Sequence, residues 1–271
     1  MAVHTRLIKK EISDILRVYR IGNLLNFSGI QEGIENTNYK IKTTNNYYIL
    51  TIFEERVNKK NLPFFLNLML NCSKKKICCP KPILDTSGKL TNNFKKKEIA
   101  LFSFLTGKSK KNWSEINCFD VGKTLGEFHT VNKSFKDKIS NEFGIVFWKE
   151  IFKKMDRFKL DSIIPGIHKL LKKELEIINH SWPKNLPKGI IHADLFPDNV
   201  FFKERKISGI LDFYFSCHDF LIYDLAITIN AWCFKKGKFN QLFFNQIIKG
   251  YQSKRTLTEK EKKQFNIILR G

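Results

Sequence analysis

The chain has 271 residues, 42% of them hydrophobic, which is enough to bury a core in one large or two smaller domains, and its formal charge is +22. No stretch approaches the roughly 18 uninterrupted apolar residues of a membrane span, and Lys9, Lys10, Glu11 and Asp14 interrupt the N-terminus before any leader-like run develops, so a cytoplasmic protein without a membrane partner is expected. The charge does not point to specific nucleic-acid binding, because 40 of the 48 cations are lysines scattered from end to end, whereas nucleic-acid surfaces draw on arginine for bidentate contacts.

Ile8, Ile12, Ile15 and Leu16 recur at helical spacing and predict an amphipathic helix within 5–20. Strand-like runs follow at 24–27, 39–43 and 47–53, joined by the loop 28–38 and the turn Thr44-Asn45-Asn46, an antiparallel meander. The stripe Phe65, Leu66, Met69 and Leu70 predicts a helix over 62–75, with Pro63 tolerated near its start, and Cys79-Pro80-Lys81-Pro82 stops it. Short strands at 83–84 and 99–105 complete an α+β lobe over 1–106. Beyond Gly107 the period becomes helical, with helices expected at 119–131, 143–158 and 167–179. After two apolar runs at 200–202 and 207–211, helices resume at 224–234, 240–251 and from Glu259 onward, giving a mainly helical second lobe over 107–271.

The two apolar runs are short enough to pair across the turn Lys203-Glu204-Arg205-Lys206. His192-Ala193-Asp194 and Asn199 precede the first run, and Asp212 directly follows the second, 13 positions after Asn199. Phosphoryl transfer needs an Asp to take the proton of an attacking hydroxyl, and an Asn and a second Asp to hold magnesium on ATP phosphates. Asp194, Asn199 and Asp212 fit those jobs. Asp, Asn and Pro are also ordinary turn formers, and a lone His-x-Asp would say little.

Gly29 and Gly33 let the 28–38 loop approach a ligand closely, as a flap over nucleotide phosphates or as a plain hairpin loop. Ser103, Phe104 and Leu105 lie where the strand-rich lobe gives way to helices, a place where backbone groups can meet adenine or where a core strand simply leaves the sheet. His129 on an apolar helical face reads as a packed histidine with a satisfied hydrogen bond, and the 25 phenylalanines read as core. Six cysteines form no Cys-x-x-Cys pair, which favours inert thiols in a reducing compartment.

Along its full length the chain resembles the kinases related to aminoglycoside phosphotransferases, and among them the bacterial homoserine kinases. The resemblance is carried by the opening Met-Ala-Val-His-Thr, the loop from Gly29 through Gly33, Asn36 and Asn38 to Tyr39, the strand Tyr48 to Thr51, Asn61-Leu62-Pro63-Phe64-Phe65, His192 to Phe202, Leu211 to Tyr214, Tyr223-Asp224-Leu225-Ala226 and Asn230 to Cys233. It implies a two-lobe, protein-kinase-like α+β fold with an antiparallel-sheet N-lobe, ATP and Mg2+ as cofactors, and L-homoserine as the small-molecule partner. It further implies Asp194 as catalytic base, Asn199 and Asp212 as magnesium ligands, and residues 29–38, including Asn36 and Asn38, over the phosphates. The acceptor's ammonium and carboxylate need an anion and donors, for which Tyr214, Asp219, Asp224, Asn230 and Trp232 follow the metal Asp closely enough, although Asp224 could equally cap a helix. Other acceptors of the same fold are choline, a sugar or an aminoglycoside; a polycation would favour an acid-rich second lobe, and this one is rich in lysine. A silent nucleotide-binding protein is the reading from another class.

Two departures stand out. Where kinases carry a phosphate-pairing lysine on the third strand, this sequence has Ile49-Leu50-Thr51, leaving Lys40, Lys42 or Arg56 as replacement cations. The resemblance also implies a further helical stretch past Leu269-Arg270-Gly271, so a shortened C-terminus is expected.

Overall fold

The computed structural model describes residues 4–31, 36–54, 58–235 and 237–271. The chain divides into two compact units, Met1–Trp113 with Pro197–Tyr214, and Ser114–Phe196 with Phe215–Gly271. The hairpin carrying Asn199 and Asp212 is thus grouped with the strand-rich unit, whereas the sequence reading places it within 107–271.

In the first unit α1 (Lys9–Leu16) precedes β1 (Leu24–Ile30), β2 (Thr37–Thr43) and β3 (Tyr47–Ile52); α2 (Leu62–Lys74), β4 (Pro82–Ile83), β5 (Asn92–Phe94) and β6 (Lys97–Ser103) follow. The strands form one antiparallel sheet in the order β1-β2-β3-β6-β4, with β5 also on β6. Period-two alternation decides its faces: Tyr39, Ile41, Leu50, Ile52, Ile99 and Leu101 pack with Ile12, Ile15 and Leu16 of α1 in one buried cluster. The opposite face carries Asn38, Lys40, Ile49 and Thr51, which the register sets side by side: Asn38 faces Thr51, and Lys40 faces Ile49.

The second unit opens with α3 (Glu115–Val131), whose start is fixed by a capping box between Ser114 and Asn117, four residues before the expected beginning. The helix expected over 143–158 is two pieces, α4 (Ile145–Lys154) and α5 (Arg157–Ile163), because Asp156 caps a new start by accepting from the backbone N–H groups of Phe158 and Lys159. Then come α6 (Ile167–Ser181) and the short strand β7 (Lys188–Ile191). The chain next crosses to the first unit for a 3-10 turn at Pro197–Asn199 and the hairpin β8 (Val200–Lys203) and β9 (Lys206–Ile210).

It returns with β10 (Cys217–Phe220), which pairs with β7, and α7 (Leu221–Trp232). A small ribbon of β11 (Phe234–Lys235) and β12 (Lys238–Phe239) leads to α8 (Gln241–Gln252) and α9 (Glu259–Ile268). Helices α3 and α8 approach closely at glycines: a Cβ at Gly122 would run into the Ile247 carbonyl, and one at Gly250 into that of Phe119. No helix among the described residues is long and apolar enough to cross a membrane. All six cysteines are free and only Cys78 is exposed; burial pushes the Cys118 and Cys233 thiols up to about 12.

Candidate phosphoryl-transfer site

The hairpin forms as its apolar runs require, with Val200 opposite Ile210 and a register shift at Phe201/Phe202. The Leu211 N–H donates to the Asn199 carbonyl at 2.8 Å, which closes the open end and brings Asn199 and Asp212 to the same place. The hairpin is tied within its unit by Lys108 and Phe202, which exchange backbone hydrogen bonds at 3.0 and 2.8 Å, and by the Ile210 N–H on the Cys78 carbonyl at 2.9 Å. These bonds explain its grouping with the sheet. Asp212 has φ +57, a left-handed backbone that costs a non-glycine residue roughly 1–3 kcal/mol and tends to mark functional loops.

Asp194 lies in the second unit, on a loop whose successive residues are each held. His192 is fully buried: its N–H donates to the Asp224 carboxylate at 2.6 Å, and its ring stands edge-on to Phe128. Ala193, also left-handed at φ +63, donates its N–H to the other Asp224 oxygen at 2.9 Å. The Asp194 N–H reaches His192 Nδ1 at 3.3 Å, and the Asp194 carbonyl accepts from Phe196 at 2.8 Å. The Leu195 carbonyl accepts from Trp232 Nε1 at 2.7 Å. The Asp194 side chain is half-buried at the middle of this fixed loop.

Asp224 and Trp232, expected among acceptor contacts, are therefore not open to a ligand. Both are fully buried and spend their polar atoms on the loop. Nor does Asp224 cap a helix, since α7 begins three residues earlier, at Leu221. Burial would raise the Asp224 carboxyl, but hydrogen bonding and charge from His129, with the bonds from the His192 segment, outweigh it and hold the group below its ordinary value. His129 is the packed, satisfied histidine expected, bonding Asp224 through Nε2 at 2.9 Å and the Tyr251 hydroxyl through Nδ1 at 2.7 Å. Arg255 continues the chain from Tyr251 to the buried Glu261. Tyr251, Arg255 and Glu261 carried no local sequence signal for this role; the polar break of His129 in an apolar helical face was the visible trace.

Asp219 is half-buried, but one oxygen accepts from Asn141 Nδ2 and the other from the Phe220 N–H, both at 2.8 Å, and the register sets it opposite Gly189, at the far end of β7 from Asp194. It clips the 139–143 segment to β10. Tyr214 belongs to the first unit, edge-on to Phe53 and Phe65; burial, and to a lesser degree the Asp212 charge, pushes its hydroxyl pKa up. Asn230 donates to the Leu269 carbonyl at 3.1 Å.

In the first unit Gly29 lies in β1, while Gly33 and Arg56 fall outside the described residues. Asn36 Oδ1 accepts from the Glu54 N–H at 3.3 Å, and Asn38 Oδ1 accepts from Thr51 Oγ1 at 2.7 Å. The departing Thr51 is thus a satisfied hydroxyl beside Asn38. Lys40 Nζ stacks over Phe104 and Tyr47, 4.4 and 4.8 Å from their centroids, and Lys42 Nζ lies 5.8 Å from Tyr47, so both sit at the Phe104 end of the sheet face. Ser103 exchanges hydrogen bonds with the Lys81 backbone through N–H and Oγ. Leu105 packs against Gly209, where a Cβ would lie 2.6 Å from Leu105 Cδ1.

For a metal, Asn199 and Asp212 offer two hard oxygens, and no group of three or more His, Cys, Asp and Glu ligands exists among the described residues. An amide and a carboxylate oxygen are the hard donor type that magnesium accepts alongside waters and substrate phosphates.

Residues 26–257 match the phosphotransferase enzyme family. The homoserine kinase of Xanthobacter autotrophicus is 38% identical over 272 aligned residues, covering all of this chain and 84% of that protein. Those of Rhizobium meliloti and Agrobacterium fabrum are 39% identical, covering all of this chain and 83% and 84% of theirs. Among solved structures, an amicoumacin kinase in complex with AMP-PNP and Ca2+ superposes with TM-score 0.76 at 14% identity, over 97% of this chain and 83% of that one. A spectinomycin phosphotransferase in complex with ADP gives 0.71 at 15%, over 98% and 86%. The α+β architecture is theirs, and the chain belongs to the phosphotransferase enzyme family, in the branch of the homoserine kinases.

Proposed function

We propose that this chain transfers the γ-phosphoryl group of MgATP to the side-chain hydroxyl of L-homoserine, giving ADP and O-phospho-L-homoserine for threonine synthesis. The single observation that carries the reading is identity of 38–39% with homoserine kinases over the entire chain. The geometry of the Asp194 loop and of the Asn199–Asp212 pair supports it.

The acceptor oxygen forms a bond to the γ-phosphorus as the bond to the β–γ bridging oxygen breaks, and Asp194 takes the hydroxyl proton. Asp194 can serve only if its loop is fixed, which the Asp224 and Trp232 hydrogen bonds accomplish. Asn199 and Asp212 hold Mg2+, which supplies charge neutralisation on the phosphates when bound. Asn36 and Asn38 donate to the phosphates beside Thr51, and the segment Ser103 to Leu105 receives the adenine. With Lys40 drawn onto Phe104 and Tyr47, neutral amide donors take the place of the usual strand lysine.

A coupled ADP-release assay across L-homoserine, L-serine, choline and kanamycin at fixed MgATP tests the reading. Homoserine should give the highest kcat/KM. Serine is one methylene shorter, so with its charged ends anchored its hydroxyl falls short of the γ-phosphate, and a misplacement of about 1 Å can cost roughly a hundredfold. A preference for choline or kanamycin would overturn the acceptor while leaving the kinase.

A further inference from the structure

The opening Met-Ala-Val-His-Thr has no evident task in phosphoryl transfer, yet the structure gives its last two residues specific partners. The N–H groups of His4 and Thr5 both donate to Thr37 Oγ1, at 2.9 and 3.1 Å. Thr37 is fully buried and donates in turn to Glu54 Oε1 at 2.8 Å. Thr5 Oγ1 donates to the same oxygen at 2.7 Å and accepts from Lys97 Nζ at 2.8 Å, while Lys97 also pairs with Glu54 Oε2. Two chain segments, 4–5 and 37, and the strand residue Lys97 therefore converge on one carboxylate. Its side chain is only 11% exposed, a setting in which hydrogen bonds to a charged group are strong.

The position of this knot gives it meaning. Thr37 lies between Asn36 and Asn38, and all three are tied by side-chain bonds to the 51–54 segment: Asn36 to the Glu54 N–H, Thr37 to the Glu54 carboxylate, Asn38 to Thr51. We infer that Thr5, Glu54 and Lys97 form a clamp by which the N-terminal segment sets the position of Asn36 and Asn38, making them positioning residues for nucleotide phosphate binding. The inference rests on the phosphate role proposed above for the two asparagines. A clamp that only packed the N-terminus onto the sheet would affect stability without distinguishing one substrate from the other.

The experiment uses the full chain and its Thr5→Val, Thr5→Ser and Lys97→Met variants, with MgADP titration calorimetry beside KM for ATP, KM for homoserine and kcat. Thr5→Val keeps the shape and removes the hydroxyl. It should weaken MgADP and raise KM for ATP by roughly tenfold, within the hundredfold that a 1 Å misplacement can cost. KM for homoserine should stay within about twofold, and Thr5→Ser, which restores the hydroxyl, should restore nucleotide affinity. Lys97→Met tests the same clamp from the strand side and should change affinity in the same direction. Unchanged MgADP affinity in both Thr5→Val and Lys97→Met, or equal rises in both KM values, overturns the clamp and leaves the kinase reading standing. If the wild-type chain binds MgADP but does not phosphorylate homoserine, the acceptor reading fails and the MgADP titrations still decide the clamp. A wild-type chain that binds no MgADP refutes it.

Discussion

Replacing Asp224 by Asn separates a positioning carboxylate from a substrate-binding one. Asp224 takes three donors inside the protein, the N–H groups of His192 and Ala193 and Nε2 of His129, with no exposure to solvent. The amide keeps the volume but retains one acceptor oxygen, so at least one backbone N–H is left facing an NH2 group. Loss of a charge-assisted bond costs about 1.5–3 kcal/mol, and an unsatisfied buried donor about 1–3 kcal/mol. A net destabilisation of about 2–4 kcal/mol follows, a large fraction of the 5–15 kcal/mol typical of a domain. Because Ala193 is held in a left-handed conformation by one of these bonds, the loop should relax and carry Asp194 out of line. The expected kinetic result is a fall in kcat of roughly a hundredfold, from a displacement near 1 Å, with KM for homoserine little changed. Urea unfolding at pH 7 gives the stability term, and steady-state kinetics in both substrates give the other. A variant with wild-type stability and kcat but a strongly raised KM for homoserine would refute the positioning argument and return Asp224 to the acceptor site.

Asp194→Asn should abolish turnover in single-turnover assays while leaving nucleotide affinity nearly intact, since the amide cannot take the proton; unchanged turnover would remove Asp194 from the mechanism. Asp212→Ala should lose the magnesium enhancement of ATP binding, and a titration showing the wild-type enhancement would refute the metal assignment. Gly250→Ala should lower the urea midpoint by the equivalent of about 1–3 kcal/mol or more, because its methyl meets the Phe119 carbonyl across the α3–α8 contact; an unchanged midpoint would show that the helices part freely. The Asp224 and Glu54 carboxyls both lie below their ordinary values, so their stabilisation is fully present above about pH 5 and is lost as pH falls through their lower folded values. The urea midpoint of Asp224→Asn should therefore fall less steeply on acidification than that of the wild type, and parallel curves would contradict this.

The meander was legible because period-two alternation at Tyr39, Ile41, Leu50 and Ile52 needs only one buried face to be read. The hairpin was legible because two apolar runs flank a polar turn. Strands β7 and β10 were not: each has four residues, and β10 carries His218 and Asp219 in its middle, so only the pairing of Cys217 with Ile191 and His218 with Ile190 makes them strands. The break between α4 and α5 is not legible because its signal is a single Asp156 within an otherwise continuous apolar period.

Asp224 and Trp232, expected as acceptor contacts, are spent elsewhere for one reason. Local pattern reports what a side chain could offer a ligand, but not whether a distant segment has already taken it. Asp224 is committed to residues 31, 32 and 95 positions away, and Trp232 to one 37 away. Thr51, where kinases carry a lysine, is matched across β2 and β3 by Asn38, and Lys40, one of three candidate replacement cations, lies over Phe104 and Tyr47. The Asn38–Thr51 pair gives the sheet face, at that register position, a neutral hydrogen-bonded couple rather than a charge.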